Sequence, residues 1–290
     1  MATRQATSRR KPVYKEVEER EAKRIGSRLR ASRTRRGQRV ERRYAVVYDI
    51  DGPRVRLGIA WFLVASVAIV FGPLATALAY GATAAVAAAQ AVRAWRRRRE
   101  RPHRLVAPVM AGGIALGACL GAGGAGLAVL GGAGAALAVA ARDTASRKPL
   151  LADAGWTIQC ALPVGIAAMS MVLLTRLDQG SAFGLLLLVS AYETGDYLIG
   201  SGARNPYEGP VAGIAAITVA TFIVSTFGIS AFGIRETWVF GALVAVLAPL
   251  GQLLASAVLP ASGSPASALR RLDSLLLAGP VWWLGIASVL

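Results

Sequence analysis

Charge is scarce over most of this sequence. Beyond Leu57, long stretches run with almost no charged residue, so a soluble globular core is excluded and the bilayer becomes the solvent the chain is built for. These apolar segments are too long and too continuous for barrel strands. Spans must satisfy their own backbone groups, so the expected fold is all-α, a polytopic bundle of transmembrane helices. Histidine is almost absent as well: His103 is the single one, which excludes histidine-based zinc centres and facial triads and assigns it to the basic loop around it. The two cysteines, Cys119 and Cys160, lie far apart inside apolar segments, so neither a metal cluster nor a secreted disulfide framework is expected. A cleavable signal peptide is not expected either, because the first apolar stretch begins only after some fifty polar residues.

What is there is a hydrophobic majority, 54% of residues, under a formal net charge of +17. Residues 1–56 hold eighteen Lys/Arg against seven Asp/Glu, and most of the remaining cations flank apolar runs. That is the positive-inside pattern, not a nucleic-acid patch, so no nucleic-acid partner is expected. The expected location is the plasma (inner) membrane, multi-pass, with a cytoplasmic N-terminus. Residues 1–56 read as a basic cytoplasmic tail, partly disordered, whose Lys/Arg/Glu-rich part either lies along anionic lipid or is simply solvated. The short β-prone stretch Tyr44-Ala45-Val46-Val47-Tyr48, followed by Asp49-Ile50-Asp51-Gly52-Pro53, reads as a juxtamembrane turn.

About nine spans follow. Leu57 to Trp95 makes two, broken at Phe71-Gly72-Pro73 and closing on Arg96-Arg97-Arg98-Arg99. Leu105–Ala141 makes two more around a glycine-rich middle, with Arg142, Arg147 and Lys148 returning to the first side. Residues 57–149 are thus two Ala/Gly-rich hairpins, in which Gly113–Gly117 and Gly117–Gly121 are spaced to let helices approach closely. Residues 150–290 read as a five-span region. Its spans are Leu151–Leu174, Ser181–Gly200, Pro210–Ser230, Thr237–Leu259 and Ser274–Leu290, with Arg235-Glu236 in a short external loop.

The sixth span ends on Tyr192-Glu193-Thr194-Gly195-Asp196-Tyr197, and Arg204-Asn205-Pro206-Tyr207-Glu208-Gly209 follows at once. Glu193 and Asp196 are three positions apart and share a helix face. Each carboxylate at mid-membrane would cost roughly 2.5–3.5 kcal/mol, so the pair is expected at the water boundary or facing a polar cavity. The plainer reading is that they mark the end of a span. The alternation of spans brings the polar stretches around Glu193, Gln252 and Asp273 to one side.

Ser190-Ala191-Tyr192-Glu193-Thr194-Gly195-Asp196-Tyr197-Leu198-Ile199-Gly200 resembles the Asp-Thr-Gly-Ala-Tyr-x-x-Gly segment of phosphatidate cytidylyltransferases, the CDP-diacylglycerol synthases. Tyr207-Glu208-Gly209-Pro210-Val211-Ala212-Gly213 is similar to the end of their Ser-Pro-Lys-Lys-Thr-x-Glu-Gly-x-x-Gly-Gly motif. Leu250-Gly251-Gln252-Leu253-Leu254-Ala255-Ser256 resembles Gly-Asp-x-x-Glu-Ser, and Leu269-Arg270-Arg271-Leu272-Asp273-Ser274 resembles Leu-Asp-Arg-x-Asp-Ser. Ala278-Gly279-Pro280 stands where that family has Ala-x-Pro. The resemblance covers about Leu173–Leu290. It implies transfer of a cytidylyl group from CTP to phosphatidate, with magnesium held by carboxylates. Glu193 and Asp273 would then be metal ligands. Glu193, Asp196, Glu208 and Asp273 would form the catalytic set, and Arg204, Arg270, Arg271, Gln252 and Ser274 would contact substrate.

The chain departs from that pattern at several of these positions. Gln252 stands in place of an Asp, Ala255 in place of a Glu and Arg270 in place of the first Asp of the second acidic motif, while Asp196 adds a carboxylate where the family has Ala. A fixed guanidinium competes with magnesium. The expected protein is therefore a divergent member without the reaction, a pseudoenzyme that binds anionic phospholipid or nucleotide headgroups, CTP included, or that serves as an envelope scaffold. Two alternatives stand beside it: an active cytidylyltransferase with a rearranged Mg2+ site, and a small-solute transporter. Membrane lipids are the expected partners, with a homodimer as a further assembly state.

Overall fold

The long apolar runs become helices, with breaks at Phe71-Gly72 and at Asp178. The computed structural model describes residues 54–142, 150–201, 205, 207–261 and 264–290. The helices are α1 (Arg54–Val70), α2 (Pro73–Arg96), α3 (Val106–Gly117), α4 (Ala122–Arg142), α5 (Leu150–Leu177), α6 (Gln179–Gly200), α7 (Glu208–Thr226), α8 (Ile234–Val258) and α9 (Leu275–Val289). Short 3-10 turns at Ala118–Leu120 and Leu269–Arg271 extend α3 and precede α9. No strand occurs among the described residues. Among the described residues, seven helical segments are long and apolar enough to cross a membrane; Arg56–Val70 and Val106–Leu120 are apolar but shorter. The protein is an all-α, multi-pass membrane protein. The stretch Tyr44–Asp51, nearly all of the basic tail, Arg147, Lys148 and Arg204 lie outside the described residues.

The local stops follow from residue chemistry. Gly72 takes φ +97°, a left-handed value that glycine adopts freely, and Pro73 then opens α2 at a position where its missing N–H costs nothing. Between α5 and α6 the connection is Asp178 alone, whose carboxylate accepts the Ser181 N–H at 2.6 Å and caps α6. His103 does similar work for α3: its Nδ1 accepts the Val106 N–H at 3.1 Å, while its own N–H donates to Thr157 Oγ1 at 3.0 Å. This gives the single histidine a structural place in the basic loop.

One sequence expectation is corrected. Arg235 and Glu236 lie in the first turn of α8, not in a loop, because Gly233 supplies the extended residue that starts the helix. Across the bundle, α2 and α3 both pack on α5, and Ala84, Ala111, Val164 and Met171 share one core. The expected close approach of α3 and α4 occurs at Gly117, where an added Cβ would sit 2.6 Å from the Gly124 carbonyl oxygen; Gly113 and Gly121 have open space instead.

Side-chain ties mark one end of the bundle. Trp95 Nε1 donates to the Val258 carbonyl at 2.7 Å, Gln159 Nε2 to that of Ala257 at 3.3 Å, and Gln90 Oε1 accepts the Ala268 N–H at 3.0 Å. The same end carries exposed Arg56, Arg93, Arg96, Arg97, Arg98, Arg99, Arg101, Arg104 and Arg142. The opposite end, with the Gly72 and Asp178 turns, carries Arg176, Asp178, Arg235 and Glu236.

Candidate functional site

The polar residues of the last third meet near the arginine-rich end. Asp196 precedes the end of α6 by four residues and Glu193 by seven, so they lie about 6 and 10 Å below it at 1.5 Å per residue. Gln252 stands six residues before the end of α8, about 9 Å in. The 3-10 turn Leu269–Arg271 and the start of α9 bring Arg270, Arg271, Asp273 and Ser274 to the same place.

Contacts join these residues into a network. Tyr192 Oη donates to Gln252 Oε1 at 3.2 Å, and Gln252 Nε2 donates to Asp196 Oδ2 at 3.3 Å. The amide thus links a phenol to a carboxylate, using both of its ends. Asp273 Oδ1 accepts the Ser274 N–H at 2.7 Å and its hydroxyl at 3.3 Å, and Oδ2 faces Arg270 Nη1 at 3.7 Å. Glu193 faces the Ser274 hydroxyl and lies within electrostatic reach of Asp273, Arg271 and Asp196. Asp196, Gln252, Asp273 and Ser274 are buried, whereas Glu193, Arg270 and Arg271 are half-buried.

Backbone shape makes this approach feasible. An added Cβ on Gly251 would collide with the Asp273 carbonyl oxygen, so glycine there lets the Asp273–Ser274 segment lie directly on α8 beside Gln252. Gly213 of α7 likewise leaves room for the Tyr192 ring, 2.6 Å from where its Cβ would be. On the other side, Gly58 of α1 lies beside the Arg271 guanidinium, whose Nη1 would lie 3.4 Å from an added Cβ.

One predicted residue falls elsewhere. Glu208, in the first turn of α7, accepts the Asn205 amide at 2.9 Å near the exposed connection. It sits one turn beyond Ala212, the residue packed against Gly195, and no contact ties it to the acidic group. Arg204 lies outside the described residues. Two residues not anticipated as site members belong here. Tyr192 bridges to Gln252, and Tyr80 of α2 lies within electrostatic reach of Glu193. Their signal in the sequence is slight: Tyr80 is a lone aromatic among alanines, and Tyr192 opens the polar motif.

Among the described residues, no group of three or more His, Cys, Asp or Glu could hold a metal ion. The chemistry of the donors agrees. Asp273 has one oxygen on Ser274 and the other toward the Arg270 guanidinium, which already balances its charge. This set does not fit a two-magnesium site. The arrangement suits recognition of a charged group instead.

The fold and this network define a class: a helical membrane protein with a polar site recessed at one end of its bundle. Compared with models of known protein families and with curated proteins, the chain matches none.

Proposed function

We propose that this is a nine-span protein of the plasma (inner) membrane, N-terminus and arginine-rich end cytoplasmic, that resembles phosphatidate cytidylyltransferases and holds anionic lipid headgroups without performing their reaction. The observation that carries this reading is Arg270 facing Asp273 at 3.7 Å, in the place where the resemblance implies a metal-binding acid. A cation supplied by the protein itself takes up the charge that would otherwise draw magnesium. The exposed arginines at the same end supply a surface for anionic headgroups, each cation near such a membrane contributing about 1 kcal/mol. The site lies one to two turns inside that end and away from the middle of the spans, which favours headgroup recognition over a through-path for solute.

Two measurements test the reading. Purified protein supplied with CTP, magnesium and phosphatidate is expected to make no CDP-diacylglycerol; turnover abolished by Asp273→Asn overturns it. Lipid retained through purification is expected to be enriched in phosphatidylglycerol and other anionic species relative to the source membrane. Reversing Arg96, Arg97, Arg98 and Arg99 to Glu is expected to remove that enrichment.

A further inference from the structure

The connection between α2 and α3 is fastened by the one histidine of the chain. His103 Nδ1 accepts the Val106 N–H at 3.1 Å and the Leu105 N–H at 3.3 Å, so a single lone pair serves two amides at the start of α3. A helix leaves its first N–H groups without partners of its own, and Arg104, Leu105 and Val106 include no Ser, Thr, Asp or Asn to take them. The backbone of the same residue is fixed from α5: its N–H donates to Thr157 Oγ1 at 3.0 Å, and that hydroxyl donates in turn to the Asp153 carbonyl at 2.9 Å. The histidine is therefore held with one ring nitrogen aimed at a helix start.

Only a neutral ring does this. An acceptor at Nδ1 needs its lone pair, which leaves the ring proton on Nε2; a second proton turns Nδ1 into a donor facing two other donors. The imidazolium would also stand at the positive end of the α3 dipole. Histidine is the side chain that changes charge between about pH 5 and about pH 8. His103 is half-buried in a connection whose Arg101 and Arg104 are exposed, so protons reach it from water.

The charged groups around it come from several elements. At the end of α2, Arg96 Nη1 donates to the Pro102 carbonyl at 3.2 Å; Glu100, Arg101 and Arg104 belong to the connection itself. α5 brings Asp153, one turn before Thr157, and α4 ends on the exposed Arg142, while α3 carries no charged residue. The arginines disfavour a further positive charge and the two acids favour one. Asp153 is thus the acid to test beside His103.

We propose that His103 is a proton-operated cap: deprotonated, it closes the first turn of α3; protonated, it releases that turn and loosens the connection that carries Arg101 and Arg104. The device needs no ligand, and it stands whether or not the arginine-rich end meets anionic lipid.

The test is hydrogen exchange and nitrogen NMR on the full chain in detergent, with no histidine in its purification tag, between about pH 8 and about pH 5. Because the chain has a single histidine, its imidazole gives one pair of ring-nitrogen resonances. At the upper end these are expected to show the proton on Nε2 alone, with the Leu105 and Val106 amides protected relative to their intrinsic exchange rates. On acidification Nδ1 gains a proton, and protection of the two amides is expected to fall about fivefold over the same interval, the equivalent of about 1 kcal/mol for a lost cap. His103→Asn keeps an acceptor for the N–H two residues on and cannot titrate, so its protection is expected to stay level; Asp153→Asn is expected to keep the change. Level protection in the unaltered protein overturns the proposal, as does a change that survives in His103→Asn or vanishes in Asp153→Asn. If His103→Asn fails to fold, the unaltered protein decides: protonation of Nδ1 and loss of protection must share one midpoint, and separate midpoints overturn the cap.

Discussion

Gly251→Ala is the sharpest probe of how the recess is assembled. On α8 the new methyl carbon would overlap the Asp273 carbonyl oxygen and lie 3.3 Å from both the Asp273 carbonyl carbon and the Ser274 oxygen. These are backbone atoms, so no rotamer change relieves the overlap; the Asp273–Ser274 segment must retreat by about an ångström. Overpacking of this kind costs roughly 1–3 kcal/mol. Alanine in a helix interior contributes up to about 1 kcal/mol over glycine in the other direction. Gly131→Ala on α4 isolates that second effect, since its added carbon has nothing within 4 Å. The two variants are therefore expected to differ by roughly 1–3 kcal/mol, with Gly251→Ala the less stable. The assay is reversible unfolding of the full chain in mixed micelles, followed by tryptophan fluorescence. Stabilities within about 0.5 kcal/mol of each other, a typical surface effect, would refute close seating of Asp273 on α8.

Two further perturbations address separate joints. Arg270→Ala leaves the buried Asp273 carboxylate without the guanidinium facing it and is expected to destabilise by roughly 3 kcal/mol. Arg270→Ala combined with Asp273→Asn is expected to recover part of the loss in a double-mutant cycle, and strict additivity would show that the two do not interact. His103→Ala removes the acceptor for the Val106 N–H and is expected to cost about 1 kcal/mol, read as faster hydrogen exchange at Leu105 and Val106.

The order of helices was legible because it depends on local chemistry. Phe71-Gly72-Pro73 announces a break, Arg96–Arg99 a boundary, and the spacing of Glu193 and Asp196 a polar helix face. Arg235-Glu236 misled because charge next to an apolar run suggests a loop, whereas a glutamate in the first turn is also favourable to the positive end of a helix. That Gln252 and Asp196 reach the same side followed from the alternation of spans, whereas the hydrogen bond between them had no local signal. Tyr80 was out of reach altogether. Its place opposite Glu193 arises from the packing of α2 and α1 near α6, a long-range relation that no pattern within α2 encodes.

Gln252 shows how the buried acids are accommodated. An aspartate there would bring a fourth carboxylate close to Asp196, and like charges in a recess repel strongly unless a cation lies between them. An amide at that position reverses the local logic. It donates to Asp196 at 3.3 Å and accepts from Tyr192 at 3.2 Å, so each neighbour is satisfied by a neutral group. Arg270 does for Asp273 what Gln252 does for Asp196. Glu193 meets neither of these groups and instead faces the Ser274 hydroxyl, within electrostatic reach of Arg271 and Tyr80.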